Sequence, residues 1–327
     1  MALFYHGIRH EIAKRYTPLD WALSLKVQKI IDLYPVDSLL SDLISQGTPH
    51  LVGRLGGSEA RFIGQFIKNY PKIVDRTYVK YRLPSDKSLA RRRQEIHLNA
   101  GFFYDHIKDA EKFVEIYLEC LVQTDVLGAW GFAFTWPEVF ALGNENLAVV
   151  NKEYTSPWVE CYSSNKSKTL NTPWSHKLNG KDVLVISPFA DSIASQHSNI
   201  ERVFPEVFFP RFNLQTIRAP MTNGKFAPLN ENWFDILENI KKQISDLNFD
   251  IALISCGAYS FPLAMHVKKL GKVGIHCGGA LQLFFGIMGN RWTNSPEITK
   301  FHNPYWIRPS ISERPIGHHL IENGCYW

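Results

Sequence analysis

Between residues 181 and 286 the sequence alternates between short apolar runs and helix-forming stretches, and this alternation constrains the fold most strongly. An apolar run from Val183 to Ile186 predicts a buried strand, which a loop and a helix follow by 196. A second strand is predicted at 213–220 and a helix at 232–249, and the order strand, loop, helix then recurs twice, at 249–271 and 272–286. Strands that alternate with helices predict an α/β fold with a mostly parallel sheet and helices on both faces.

The first half of the chain is less regular. Helices are predicted at 36–46, 57–69 and 108–123, and a strand is predicted at 125–131. The stretch 151–179 is rich in Ser, Asn, Lys and Pro, which predicts a loop-rich insertion. We predict a single domain over 1–327 with a helical N-terminal segment at about 1–46. A division into two lobes at 151–179 explains the pattern equally well.

Composition excludes some classes of protein and leaves others open. Hydrophobic residues make up 45% and charged residues 20%, as in soluble globular proteins. The net charge of +5 slightly favours anionic ligands or an anionic membrane surface, and it does not by itself predict nucleic-acid binding. No apolar run reaches 18 residues and no signal peptide is evident, so we expect a cytoplasmic protein, with peripheral membrane contact left open. Five widely spaced cysteines without a CxxC pair are consistent with a reducing compartment.

Four junctions between a strand and a helix contain unusual residues. They are Gly53–Glu59, Ser187–Gln196, Ser255–Tyr259 and His276–Gln282. In a parallel sheet, ligands bind beyond the carboxyl ends of the strands. Because parallel strands share one direction, we expect all four loops to meet at one edge of the sheet.

The first loop reads GRLGGSEARF and is the strongest candidate for an anion site. Glycines at Gly56 and Gly57 let backbone N–H groups approach an anion, and a helix beginning near Ser58 would direct its positive end toward it. Arg54 could add a charge-assisted hydrogen bond. A tight turn with Ser58 as the helix cap is about equally probable on spacing alone. The loop matches neither the GxGxxG nor the Walker A pattern.

The second loop, SPFADSIASQ, contains Ser187, Asp191 and Gln196. A cluster of Ser and Asp at such a junction is more often a helix cap than a catalytic group. Since no GxSxG motif is present, a serine hydrolase is not expected.

The third and fourth loops read SCGAYSFP and HCGGALQ. Gly257 allows a sharp exit from the strand, and Tyr259 could stack on a base or sugar. Cys256 is a possible nucleophile, but a cysteine at the end of a strand is more often a small buried apolar residue. Gly278 and Gly279 form a second candidate anion cradle. His276 is either a satisfied core histidine or a ligand-facing one.

We expect the basic run at 80–93 and four of the histidines to be surface features. The run could bind an acidic acceptor or a lipid phosphate, but a solvated helix face is its simpler interpretation. His318 and His319, like His6 and His10, lack acidic companions at a convincing spacing.

Together the loops resemble the GT-D class of bacterial nucleotide-sugar glycosyltransferases. The segment RLGGSE, Arg54–Glu59, resembles the R-x-G-D-G-E segment of that class, and 183–196 and 254–292 resemble its later blocks. The resemblance implies a Rossmann-like fold, a UDP-sugar donor and a divalent metal, Mn or Mg, near an Asp-x-Glu motif. Here Gly57 stands at the family's aspartate position and Ser58 at its glycine position, which puts metal dependence in doubt; Glu59 is the remaining candidate metal ligand.

The resemblance implies a hexosyltransferase of polysaccharide biosynthesis that uses a glycan or lipid-linked acceptor. Glu59 is the first candidate for the catalytic carboxylate, and His276 and Asp191 are weaker ones. The nucleotide-sugar-binding candidates are Arg54, Gly56, Gly57, Ser58, Ser187, Gln196, Gly257, Ala258, Tyr259, Gly278 and Gly279. The alternatives are a noncatalytic nucleotide- or sugar-binding module and another Rossmann-type enzyme.

Overall fold

The computed structural model describes residues 36–69, 89–129, 147–151, 173–205, 209–224, 228 and 231–327. Its strands are β1 His50–Arg54, β2 Val126–Ala129, β3 Ala148–Asn151, β4 Asp182–Ser187, β5 Asn213–Arg218, β6 Ile251–Ile254 and β7 Val273–His276. Its α-helices are α1 Val36–Gln46, α2 Gly57–Asn69, α3 Leu89–Ala100, α4 Ile107–Val122, α5 Ala190–His197, α6 Ile200–Val203, α7 Trp233–Ser245, α8 Ser260–Lys269, α9 Leu281–Phe284 and α10 Pro296–Thr299.

The seven strands form one sheet in the order β3-β2-β1-β7-β6-β4-β5, and every pair is parallel. The predicted parallel α/β fold is therefore confirmed. The predicted helices at 36–46 and 57–69 are confirmed, and those at 108–123 and 232–249 are confirmed with slightly different ends. Most of the predicted insertion at 151–179, all of 1–35 and the first part of the basic run at 80–93 lie outside the described residues.

Alternating side chains of the strands bury two separate apolar layers. In β4, Leu184 and Ile186 contribute to one core cluster, whereas Val183 and Val185 contribute to the other. Successive side chains of a strand point to opposite faces, so a strand buried on both sides has a continuous apolar run. The first layer includes residues of α2, α4, α7 and α8, and the second includes residues of α1, α5 and the chain after β7. Helices therefore cover both faces, as predicted.

The chain leaves four neighbouring strands alternately toward the two faces. After β1 and β6 it enters α2 and α8 in the first layer, and after β4 and β7 it enters α5 and α9 in the second layer. These strands lie side by side in the order β1-β7-β6-β4. Where adjacent strands send their connections to opposite faces, a crevice opens at the carboxyl edge of the sheet. The order of the strands therefore creates the space for a site.

Helix α8 lies unusually close to the sheet, and two glycines permit this approach. A Cβ on Gly53 of β1 would lie 2.2 Å from the ring of Phe261, and one on Gly274 of β7 would lie 2.5 Å from the carbonyl oxygen of Ala264. Gly53 is therefore needed for packing between helix and sheet, although it begins the GRLGGSEARF segment.

Candidate functional site

The crevice at the carboxyl edge is a cleft of about 200 Å³ that contains residues from all four predicted loops. The predicted convergence of the loops is confirmed in this respect. The candidate residues that line it are Arg54, Gly56, Gly57, Ser58, Glu59, Gly257, Tyr259, His276, Gly278 and Gly279.

The first wall of the cleft is the loop from β1 to α2. Helix α2 begins at Gly57, and Glu59 is its third residue. The Glu59 carboxylate folds back over the loop, because a Cβ on Gly56 would lie only 2.0 Å from its Oε2. The carboxylate thus occupies the position of an acid that caps a helix, where the helix dipole stabilises its negative charge. Glu59 is buried, with 6% of its surface exposed, yet it lines the cleft.

Glu59 also influences the core behind the cleft. Burial raises the pKa of the Tyr117 hydroxyl well above its usual value, and the negative charge of Glu59 raises that pKa further. The Tyr117 hydroxyl donates a hydrogen bond of 2.7 Å to the carbonyl of Ala258. The Glu59 carboxylate of the cleft lining therefore acts on a buried phenol whose raised pKa favours its protonated form.

Arg54 joins the first loop to the fourth. Its Nη1 donates to the carbonyl of Cys277 at 3.3 Å, and a Cβ on Gly278 would lie 2.9 Å from the same nitrogen. Gly278 has a φ of +68°, a left-handed conformation that favours glycine. The guanidinium group therefore lies against Gly278, just after the end of β7.

His276 is the last residue of β7, and a hydrogen-bonding contact shows which of its two ring nitrogens carries the proton. Its Nδ1 lies 3.0 Å from the carbonyl oxygen of Arg54. Because a carbonyl oxygen can only accept, Nδ1 carries the proton, and in the neutral ring Nε2 is the basic nitrogen. His276 is 6% exposed and lines the cleft. Its place in the lining makes His276 a candidate proton acceptor beside the loops.

The loop after β6 approaches helix α3 closely. Gly257 has a φ of +59°, and a Cβ there would lie 2.5 Å from the carbonyl oxygen of Ala100. The prediction of a sharp exit at Gly257 is thus confirmed, and the reason is contact between two backbones.

Four predicted site residues lie outside the lining of the cleft. Ser187 is buried, and its Oγ accepts a hydrogen bond from the N–H of Phe189. Gln196 is buried and donates to the carbonyls of Phe285, Gly286 and Tyr305. Ala258 is fully buried beside Tyr117, and Asp191 is exposed in an ion pair with Arg218 at 3.0 Å. The side chains of these four residues are thus engaged in hydrogen bonds, core packing or a surface ion pair rather than in the lining of the cleft.

Tyr259 and Cys256 line the cleft, but neither side chain is available for the role considered from the sequence. The ring of Tyr259 is stacked on Trp233, with centroids 4.8 Å apart and only 1% of the residue exposed, so it cannot stack on a ligand. Its hydroxyl also contacts Thr222 Oγ1 at 3.2 Å. Burial raises the pKa of the Cys256 thiol to about 12, which opposes a role as a nucleophile.

The tertiary structure adds cleft residues that sequence reasoning missed. They are Asn99, Ala100, Pro220, Met221, Thr222, Asn223, Arg291, Glu322, Tyr326 and Trp327, whereas Pro188, Phe189, Ser255 and Cys256 belong to the predicted loops. Tyr326 packs on Gly279, where a Cβ would lie 2.3 Å from its ring, and the Arg291 guanidinium lies 4.8 Å from the centre of that ring. No sequence motif predicted that Arg291 and Tyr326 would line the cleft, because they lie in segments without helical or strand periodicity.

The described residues do not form a metal centre. Within the described ranges, no three His, Cys, Asp or Glu side chains come together as a ligand set. The lining also contains the Arg54 guanidinium, which cannot ligate a cation, and a second carboxylate, Glu322, which is paired with Arg291. Among the described residues, the lining thus offers no complete ligand set for a divalent metal.

No family model, curated protein or solved structure matches the chain. Among the described residues, no helix is long and apolar enough to span a membrane. The resemblance to the GT-D class therefore rests on the motif residues of the sequence alone.

Proposed function

We propose that the protein is a glycosyltransferase that moves a sugar from a nucleoside diphosphate sugar, with UDP favoured, to an acceptor hydroxyl. The acceptor would be a glycan, polysaccharide or lipid-linked sugar. The observation that carries this proposal is the pairing of Arg54 with two glycine loops at one end of the cleft. Such a site suits a diphosphate, which carries its charge on oxygens that accept hydrogen bonds.

The backbone supports an anionic ligand at this position. Within the described part of the chain, the N–H groups of Gly57 and Ser58 at the start of α2 have no protein acceptor, and the same holds for Gly278 and Gly279. Polar N–H groups that line a cleft without a partner are available to a ligand. Together with Arg54 they would neutralise the leaving diphosphate in the way the resemblance assigns to a metal.

The size of the cleft limits what it could hold. Its 200 Å³ is below the roughly 300–1,000 Å³ of most small-molecule sites. An adjoining groove of about 650 Å³ shares Pro188, Pro220 and Met221 with it. A diphosphate would lie in the cleft, and the rest of the donor or the acceptor would extend into the groove.

In the proposed reaction the acceptor oxygen attacks the anomeric carbon and the bond from that carbon to the diphosphate oxygen breaks. The electron pair leaves with the nucleoside diphosphate, and the hydroxyl proton passes to a base. Glu59 is the first candidate for this base, and His276 through Nε2 is the second. Arg54 and the amides stabilise the charge that develops on the leaving group.

Binding can be tested by thermal shift with UDP, other nucleoside diphosphates, NADH and S-adenosylmethionine, each with and without manganese. Ligands that bind only the native state raise the unfolding temperature. We expect UDP or another nucleoside diphosphate to stabilise the protein without manganese. Stabilisation by NADH or S-adenosylmethionine alone would favour a different Rossmann-type enzyme and contradict the proposal.

Catalysis can be tested with Glu59→Gln, which preserves shape and removes the charge. We expect sugar transfer or donor hydrolysis to fall at least about a hundredfold, because a positioned base contributes that much. Glu119→Gln, at an exposed ion pair with Lys269, is the matched control and should retain activity. Full activity in Glu59→Gln would remove this carboxylate from the mechanism, and His276→Gln would then test the second base. Donor binding without any turnover in the wild type would indicate a noncatalytic module.

A further inference from the structure

The surface of residues 308–320 is unusual in both polarity and charge. Its Ile316 and Ile311 are the most exposed large apolar side chains in the described part of the chain, at 92% and 85%, and Leu320 is 44% exposed. Single exposed apolar residues are common, but a group of them in one segment indicates a surface that contacts something.

The same segment presents two exposed arginines, Arg308 and Arg314. Arg308, Arg314, His318 and His319 line a recess of about 320 Å³. The one acidic residue of the segment, Glu313, is 1% exposed, and its carboxylate accepts hydrogen bonds from the N–H groups of Asp191 and Ser192 at the start of α5. The negative charge is therefore turned inward, and the outer surface of 308–320 is apolar and basic.

This surface lies beside the proposed site. Arg314 borders both the recess and the groove that adjoins the cleft, and Ile316 lines that groove. Trp327 lines both the recess and the cleft. A partner bound to 308–320 would thus lie next to the opening through which an acceptor must enter.

We propose that residues 308–320 dock the protein on an anionic lipid bilayer. The side chains of Ile311, Ile316 and Leu320 enter the boundary between headgroups and acyl chains, and Arg314 pairs with a lipid phosphate. Apolar tips combined with cations are the features that bind such surfaces, because apolar burial and attraction to anionic lipid add. This proposal does not depend on sugar transfer, since docking is measured without any nucleotide.

The test is co-sedimentation of the full chain with vesicles of phosphatidylcholine alone and with phosphatidylglycerol added. We expect binding to the anionic vesicles, weaker binding to the neutral ones, and loss of binding as salt is raised. Ile311→Ser/Ile316→Ser should weaken binding at least about tenfold, because it removes most of the apolar contact. Arg314→Gln should weaken it about fivefold, the contribution of one basic residue near the surface.

Two matched controls lie at the other edge of the sheet. Leu270→Ser replaces another exposed aliphatic residue, and Lys242→Gln removes another exposed charge near the end of α7. Both should bind like the wild type, and urea unfolding should show that every variant is folded.

The absence of binding to anionic vesicles would overturn the proposal, as would equal binding by Ile311→Ser/Ile316→Ser and the wild type. Sedimentation velocity tests whether a second copy of the chain, rather than a bilayer, occupies the surface of 308–320. If the chain self-associates, and the double variant alone abolishes this without any vesicle binding, the surface belongs to a second copy of the chain instead.

Discussion

At the residue scale, several glycines of the loops have different functions that the sequence does not distinguish. Gly53 allows α8 to approach β1, Gly56 leaves space for the Glu59 carboxylate, and Gly278 holds a left-handed turn beneath Arg54. Only the last two lie in the cleft lining. A glycine-rich motif can therefore combine packing and binding requirements in adjacent positions.

Gly278→Ala tests whether the cradle matters for the ligand. The added Cβ strains a residue with positive φ, at about 1–2 kcal/mol, and it also displaces Arg54. Gly271→Ala is the matched control, since its φ is +83° and no atom lies within 4 Å of the new Cβ. We expect both to lose similar stability in urea, but only Gly278→Ala to weaken UDP binding, by roughly tenfold in calorimetry. Equal affinities in the two variants would contradict the role assigned to Arg54.

At the element scale, a carboxylate from distant sequence holds the start of α5. Glu313 is 1% exposed and accepts from the backbone of Asp191, Ser192 and Ser310, and from the Ser192 hydroxyl. These contacts attach the segment around 310–316 to the loop that follows β4. The sequence suggested local capping of this helix, whereas the cap comes from 122 positions further along the chain.

Glu313→Gln is expected to destabilise the protein by about 1–3 kcal/mol. The amide NH₂ group would face N–H and O–H donors that need an acceptor, so a buried donor loses its partner. Glu238→Gln, on the exposed face of α7 with a side-chain exposure of 68%, should change stability by less than about 0.5 kcal/mol. Urea unfolding measures the stability of both variants. An unchanged free energy of unfolding in Glu313→Gln would show that the hydrogen bonds at this buried cap are dispensable.

At the scale of the whole molecule, burial raises the pKa of several acidic groups. The free energy of unfolding is therefore expected to fall as the pH becomes alkaline. Burial raises the pKa of the Cys256 and Cys277 thiols to about 12, and it raises the pKa of Tyr117 and Cys120 as well. A group whose pKa is raised in the folded state contributes stability that is complete below its unfolded pKa. That contribution is lost as pH rises toward the folded value.

We therefore expect the free energy of unfolding to be constant near pH 7–8 and to fall between about pH 9 and 12. Each buried thiol adds up to about 1.4 kcal/mol per pH unit to this slope, because the unfolded chain releases a proton that the folded chain keeps. Urea unfolding of the wild type and of Cys277→Ala at pH 8, 9 and 10 measures it. The variant should show the smaller slope, and equal slopes would contradict the assignment.

Hydrophobic periodicity in the sequence was enough to predict the parallel sheet, its covering helices and the edge where four loops meet. Those features follow from local pattern, since a run such as Val183–Ile186 must be buried on both faces wherever it lies. The pattern could not identify which polar side chains at that edge face the cleft. Ser187 and Gln196 satisfy neighbouring backbone groups instead, and a sequence does not show where those groups will be.

Sequence by itself thus determined the architecture of GRLGGSEARF, a strand followed by a glycine turn and a helix with Glu59 in its first turn. Only the tertiary structure decided what the motif faces: Arg54 lies over Gly278, His276 donates to the carbonyl of Arg54, and Tyr326 closes the wall at Gly279. The physical reason is range. Periodicity and turn chemistry act between near neighbours, whereas the cleft depends on contacts between residues more than 200 positions apart, which the order of the strands brings together.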